Sequence, residues 1–248
     1  MISLEQLTNN SSTAETIHLT AIIDTALCVG AGGSTGSLAD KPVVRTAGEK
    51  LLIPASQLKG RLRHECEKLA RGLGWAVCQS PKAETMCPQR LGLNETEFQQ
   101  QYANSSEPDE GDEQQYHCLI CQMFGNPSLP SRLIFNDLIC EEPPENLPET
   151  IRPGVTINRR RRVAEDNKLY YLETSPPNAA LEFKGTLEIN PNFPDAGKPL
   201  LIAALKHINA LGGSKSIGLG WLHWQWEYRQ DNVPKPFINK EDWQNLLV

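Results

Sequence analysis

Long apolar runs are missing from this sequence. Its best stretch, Ile17 to Val29, is broken by His18, Thr20, Asp24 and Thr25, so no membrane-spanning helix and no membrane partner is expected. The first residues, Met1 to Thr16, are polar, with no basic start and no apolar run. They do not read as a secretory signal, and the expected location is the cytoplasm. A basic excess is missing too: 24 Lys and Arg stand against 30 Asp and Glu, for a formal charge of -6. No internal repeat, Ser-His-Asp set or HExxH zinc motif is found.

What is present fits one large domain with insertions. A chain of 248 residues with 39% apolar side chains can bury a real core, which excludes global disorder. Eighteen prolines argue for many loops and against a long bundle or coiled coil. The acidic total conceals where the acids are. Asn104 to Gln115 and Glu141 to Glu149 together hold nine of them and no base, leaving 21 acids against 24 bases elsewhere. A basic surface, and with it polyanion binding, therefore remains compatible with the composition. Seven cysteines in a chain without an export signal read as reduced thiols or metal ligands, not disulfides.

Along the chain, residues 1–15 look like a polar arm. Thr16 to Ala26 alternates as a strand, with Ile17, Leu19, Ala21 and Ile23 on one side. A glycine-rich loop follows, then strand candidates at Pro42 to Arg45 and Lys50 to Pro54. The clearest helix is Ala55 to Leu73, where Leu58, Leu62, Cys66, Leu69 and Leu73 form one apolar stripe. Residues 75–121 read as an insertion with little periodicity. Leu133 to Cys140 and Ala180 to Ile189 are strand candidates, and residues 153–175 an arginine-rich projecting hairpin. Leu200 to Leu211 reads as a helix opened by Pro199, and Leu219 to Glu227 as a closing strand. Trp221, Trp224 and Trp226 are expected mainly in the core. This order predicts an α+β sandwich of the split βαβ type, with helices on one side.

Several motifs carry chemistry. Gly30, Gly32, Gly33 and Gly36 fail the dinucleotide spacing, and a loop and strand follow them instead of a helix. Gly212-Gly213-Ser214-Lys215-Ser216 follows a helix and lacks the glycine that a Walker lysine needs. It can still bring backbone close to a phosphate, with Lys215 as countercharge, or serve only as a helix cap and turn. Cys118-Leu119-Ile120-Cys121 has metal-knuckle spacing, and Cys78 and Cys87 lie upstream in the same insertion. Four thiolates would hold Zn²⁺ tetrahedrally, as a structural ion; His64, Cys66 and His117 are substitute ligands, although Cys66 lies on the apolar stripe. Arg159, Arg160, Arg161 and Arg162, with Tyr170 and Tyr171 beyond, suit nucleic-acid contact better than a merely solvated face. Asp40 is, by itself, an ordinary turn aspartate.

Taken together, these segments resemble the RAMP superfamily of CRISPR effector proteins, and most of all the Cas-seven-like backbone subunits of type III complexes. The resemblance rests on Val29 to Gly33, Asp40 to Arg45, Ile53 to Arg63, Cys118 to Gly125, Ser131 to Asp137 and Gly212 to Gly220, and it runs from about Ile17 to Glu227. It implies a modified ferredoxin-like (RRM-like) core with a thumb β-hairpin and a cysteine-containing insertion. Guide RNA, target RNA, other RAMP-type subunits and a large subunit are the implied partners. Gly32, Gly33, Arg45, Ser56, Lys59, Arg61, Arg63, the four arginines 159–162, Gly213, Lys215 and Ser216 become the implied RNA contacts. Asp40 becomes the implied catalytic residue of a Mg²⁺-dependent cleavage of target RNA, in which a ribose 2′-OH attacks its neighbouring phosphate. The sequence departs from the family pattern at Pro54-Ala55-Ser56-Gln57 and at Ile217. Two other readings stay open: a non-catalytic RNA-binding subunit of the same complex, and a metal-independent guide-precursor endoribonuclease. The latter wants a positioned histidine, and His18, His64, His117, His207 and His223 show no evident pairing.

Overall fold

The computed structural model describes residues 15–30, 39–82, 84–87, 117–191, 193–230 and 233–234. The first strand, β1 (Glu15–Ile23), has its alternate residues Ile17, Leu19, Ala21 and Ile23 fully buried. It lies antiparallel between β7 (Leu181–Ile189) and β8 (Leu222–Gln230). The registers stack apolar rows across all three strands: Ile17 with Leu187 and Tyr228, Ala21 with Phe183 and Trp224, Ile23 with Leu181 and Leu222. Such a period-2 pattern commits one face of the sheet to the core. Beyond β7 come β3 (Leu133–Phe135) and β4 (Leu138–Cys140), and β2 (Leu52–Ile53) pairs with β4. The short β9 (Val233–Pro234) edges β8. All pairings between these strands are antiparallel. β7 thus lies between β1 and β3/β4, which α1 (Ala55–Gly72) connects in sequence; β1 lies between β7 and β8, which α3 (Gly197–His207) connects. The fold is α+β with a mainly antiparallel sheet, as the order of elements predicts.

The helix α1 buries Leu58, Leu62, Cys66 and Ala70, the expected stripe shifted by a residue at its end. Pro54 precedes it and offers no side-chain cap. The cap comes from elsewhere: Asp137 Oδ1 accepts from the Ala55 N–H at 2.7 Å. That contact explains why Leu133 to Cys140 is two strands and not one. Leu133 opposes Ile189, but Ile139 opposes Lys184, so β3–β4 holds one residue more than β7. The surplus falls at Asn136-Asp137 and turns Asp137 toward the helix. Gly185 makes room for it, since a Cβ there would stand 2.6 Å from the Asp137 carbonyl oxygen.

Pro42 to Arg45 is a set of isolated bridges, not a strand: Gly30 to Val43, Lys41 to Leu172 and Arg45 to Leu51. Pro42 has no donor to give a ladder, and the Val43 N–H goes to a side chain, Glu173 Oε2 at 2.9 Å. The helix α3 stops at His207, four residues before Leu211, because Ile208 is extended and residues 209–211 pair with the start of β8. Trp224 and Trp226 pack on the core as expected; Trp221 is exposed. A second sheet is the hairpin of β5 (Thr150–Asn158) and β6 (Val163–Thr174), which begins three residues earlier than the sequence suggests. No helix among the described residues is long and apolar enough to cross a membrane.

Candidate nucleic-acid interface and metal centre

Cys78, Cys87, Cys118 and Cys121 are buried together, with their Sγ atoms all within 4.8 Å of one another. Cys118 directly precedes the short helix α2 (Leu119–Phe124), and one turn of that helix brings Cys121 to the same side. Cys78 Sγ lies 3.6 Å from Cys121 Sγ. That is too long for a disulfide and close to the edge of about 3.8 Å that follows from four Zn–S bonds near 2.3 Å in a tetrahedron. The Cys118 N–H donates to Cys87 Sγ at 3.3 Å, which favours a thiolate there. Mutual hydrogen bonding splits the thiols: Cys118 and then Cys121 pull Cys78 down to about 6 and also lower Cys87, while bonding to Cys121 pushes Cys118 up. This buried cluster can hold a metal such as zinc. Of the substitutes, Cys66 is a core thiol pushed up by burial and His64 is exposed; buried His117 is outside the four-sulfur group but borders it, hydrogen-bonded to Cys87 and with Nδ1 facing Asn126 Nδ2 at 2.8 Å.

At one end of the sheet the chain after β1, Ala26 to Gly30, acts as a hub. On one side it takes the C-terminal glycine loop: the Gly213 N–H donates to the Cys28 carbonyl at 2.7 Å and the Gly220 N–H to that of Ala26 at 2.8 Å. On the other it takes the base of the hairpin, where Ser175 N–H donates to Leu27 O and Ser175 Oγ accepts from Leu27 N–H, both at 2.9 Å. The Val44 N–H reaches Val29 O, also at 2.9 Å. Ala26, Cys28, Leu172 and Leu219 form a small apolar cluster of their own beneath these contacts.

Asp40 stands at this junction, exposed, and is clasped to β6. Its Oδ2 accepts from the Tyr171 N–H at 2.7 Å and its own N–H donates to Tyr171 O at 3.0 Å. Among the described residues, no group of three or more Asp, Glu, His or Cys side chains that could hold a metal includes Asp40. Buried Glu173 completes the clasp. One oxygen takes the Val43 N–H and the other the Arg45 guanidinium at 2.8 Å. Arg45 is therefore an anchor of this loop and only partly exposed.

The remaining basic residues divide into engaged and open. Arg61 pairs with buried Glu65 at 2.8 Å, and Arg63 pairs with Glu67 at 3.1 Å. Ser56 is exposed at the start of α1. Lys59 is half-buried, and burial followed by the charge of Arg63 lowers its pKa. Arg159, Arg160, Arg161 and Arg162 form the turn at the hairpin tip, all exposed. Asn158 Oδ1 fixes that turn by accepting from the N–H groups of Arg160 and Arg161. Lys215 and Ser216 are exposed, whereas the Gly213 N–H is consumed by Cys28. Two other glycines of this loop serve packing: a Cβ on Gly212 would meet Cys28 O at 2.6 Å, and one on Gly220 would meet Leu211 O at 1.8 Å. Gly32 and Gly33 lie outside the described residues, as do residues 88–116 of the insertion.

The family model of the RAMP superfamily matches residues 20–223, most of the chain. The chain belongs to the RAMP superfamily. Membership suggests a CRISPR-associated RNA-binding subunit with RNA and other complex subunits as partners. Comparison with curated proteins finds none that matches. In this RAMP chain the outward rows of the three central strands are Thr16/Glu188/Arg229, His18/Thr186/Glu227, Thr20/Lys184/Gln225 and Ile22/Glu182/His223. They hold no Phe, Tyr or Trp, so the base-stacking platform of RRM sheets is not built here. Sequence reasoning missed Glu173 and Ser175, which help tie these parts together through positions that no spacing reveals. It touched Asp137 only as the last residue of the Ser131 to Asp137 motif, and Tyr171 only as an aromatic beside the arginine run, whereas Tyr171 acts here through its backbone.

Proposed function

We propose that this chain is a Cas-seven-like backbone subunit of a type III CRISPR effector, with a ferredoxin-like core, the β5–β6 hairpin as its thumb, and a guide RNA bound along the hub end of the sheet. The observation that carries the reading is the convergence on Ala26 to Gly30: Asp40, the thumb base and the Lys215 loop are hydrogen-bonded to one another or to this segment. The thumb tip supplies four arginines for phosphates, and Lys59, Ser56, Lys215 and Ser216 supply further donors. Cytoplasmic guide RNA, matched target RNA, sibling RAMP subunits and a large subunit are the partners that suit it.

Asp40 is the catalytic candidate in cleavage of target RNA. Its carboxylate is exposed, and its backbone and Oδ2 are fixed, so it can orient the attacking 2′-OH without moving. When bound, Mg²⁺ would supply charge stabilisation at the phosphate. Asp40 alone suits that ion only if RNA phosphate oxygens share in holding it, a common pattern for Mg²⁺. Zn²⁺ is the structural ion that the four cysteines suit. The competing reading, an inert structural subunit, is favoured by the Tyr171 N–H on Asp40 Oδ2, because that bond gives the carboxylate a purely structural use.

Asp40→Asn decides between them. An asparagine keeps an acceptor for Tyr171 but loses the charge. In the purified assembly with Mg²⁺ and matched target RNA, cleavage should fall by about two orders of magnitude or more while target binding is kept. Cleavage at the wild-type rate would make Asp40 a turn residue. A wild type that binds target tightly and never cuts would establish the structural reading.

A further inference from the structure

Arg63 sits on the helix expected to hold guide phosphates, yet its guanidinium is spent elsewhere. Nε donates to Glu67 Oε1 at 3.1 Å, Nη1 to the Gly125 carbonyl at 2.8 Å, and Nη2 points at Cys121 Sγ at 3.8 Å. Gly125 closes α2, the helix that Cys118 opens and that carries Cys121. One turn along α1, Glu67 also meets Arg71 at 3.6 Å, and Arg71 Nη2 donates to the Cys78 carbonyl at 3.2 Å. Arg63, Glu67 and Arg71 follow i, i+4, i+8 spacing, so one face of α1 grips both the knuckle and the upstream arm of the cysteine cluster.

Four thiolates around a divalent cation leave a net charge of about -2. Buried charge of that size is costly unless it is compensated, and groups behind the ligands are what compensate it. We propose that Arg63 is a positioning residue of the metal centre: it offsets thiolate charge at Cys121 and locks the Cys118–Cys121 knuckle onto α1, and it is not a phosphate ligand. This rests on the reading of the four cysteines as a metal site. A planar fork is required, because three acceptors in different directions are served at once. Lysine can supply the charge, but its three donors share one nitrogen and cannot replace contacts made from three separate ones.

The test uses the full chain, with zinc affinity measured by competition against a chromophoric chelator and with Co²⁺ thiolate absorption as a second readout. Arg63→Met should weaken zinc binding about 10–100-fold, the usual scale for such supporting groups. Guide-RNA affinity of the zinc-saturated variant, and its slope against salt, should stay at wild-type values. Unchanged zinc affinity in a folded Arg63→Met, or a reduced salt slope with zinc saturated, would overturn the proposal. Should that variant fail to fold, Arg63→Lys decides, and zinc affinity equal to wild type would overturn the proposal. A wild type that takes up neither zinc nor Co²⁺ would instead refute the metal site itself.

Discussion

Buried Glu65 shows how single side chains couple elements in this molecule. It is 1% exposed, on α1, and accepts from Arg61 at 2.8 Å and pairs with His207 of α3 at 2.7 Å. Burial pushes its carboxyl up, but the bond to His207 and the charges of Arg61 and Lys68 outweigh that and hold it below its ordinary value of 4.5. The folded state therefore binds the proton less readily than the unfolded chain. The stabilisation is full above the ordinary value and drains away as pH falls through the lowered one. Glu65→Gln should cost on the order of 2 kcal/mol at pH 7, since the partners are part-exposed and soften the loss. Urea melts at pH 7 and pH 3 should show the gap between wild type and variant shrinking in acid. Asp40 is read on the same footing. Asp40→Ala removes the acceptor for Tyr171 and should loosen the thumb base, whereas Asp40→Asn should not. Comparing the two by hydrogen exchange at residues 170–173 separates loss of structure from loss of charge.

The thumb and α1 each end in a feature that can be tested by itself. At the thumb tip the four arginines lie in a turn held by backbone contacts to Asn158, so their side chains are not needed for the hairpin to form. Changing all four to alanine should leave the melting transition in place and weaken guide binding. The slope of log affinity against log salt should fall by roughly 0.7 for each phosphate that the tip no longer neutralises; an unchanged slope would make the tip a solvated turn. For α1, the cap is a long-range one. Asp137→Ala removes the acceptor for the Ala55 N–H and should cost about 1 kcal/mol, the usual worth of an N-terminal cap. Denaturant midpoints check this, and Asp137→Asn should recover most of the loss.

On the scale of the whole molecule, one apolar core runs from the sheet into the cysteine-bearing segment, where a cluster of thiols adds a second means of support. The sheet with α1 and α3 is held by a continuous apolar core that includes Ile17, Leu19, Phe183, Leu62 and Leu205. The cysteine-bearing segment joins that core through Ile120, Met123 and Phe124, with Trp75, Val77, Met86 and Leu119 packed against it, and its four thiols meet at one point. Stripping the metal with a strong chelator should therefore raise hydrogen exchange at residues 75–87 and 117–126 well before the central strands respond. Equal protection with and without chelator would count against a structural ion. The effect should also reach α1, since Arg63 and Arg71 hold it to that segment.

Alternation in β1, β7 and β8, the helical stripe of α1 and the Cys118/Cys121 spacing were legible in the sequence, because each is a local periodicity that one face of one element enforces. The β5–β6 hairpin was legible from its arginines, and the clustering of Cys78 and Cys87 with the knuckle from their place in the same unpatterned stretch. What the tertiary structure alone decided are the pairings across long separations. Asp137 caps a helix 82 residues away because a one-residue bulge turns it there. Glu173 and Tyr171 hold the Asp40 loop because β6 passes beside it. Arg45, Arg61 and Arg63 looked alike as basic residues on or near a helix expected to hold phosphates. Their partners, Glu173, Glu65, and Glu67 with the cysteine centre, come from packing, and packing is a property of the folded chain that no spacing along it encodes.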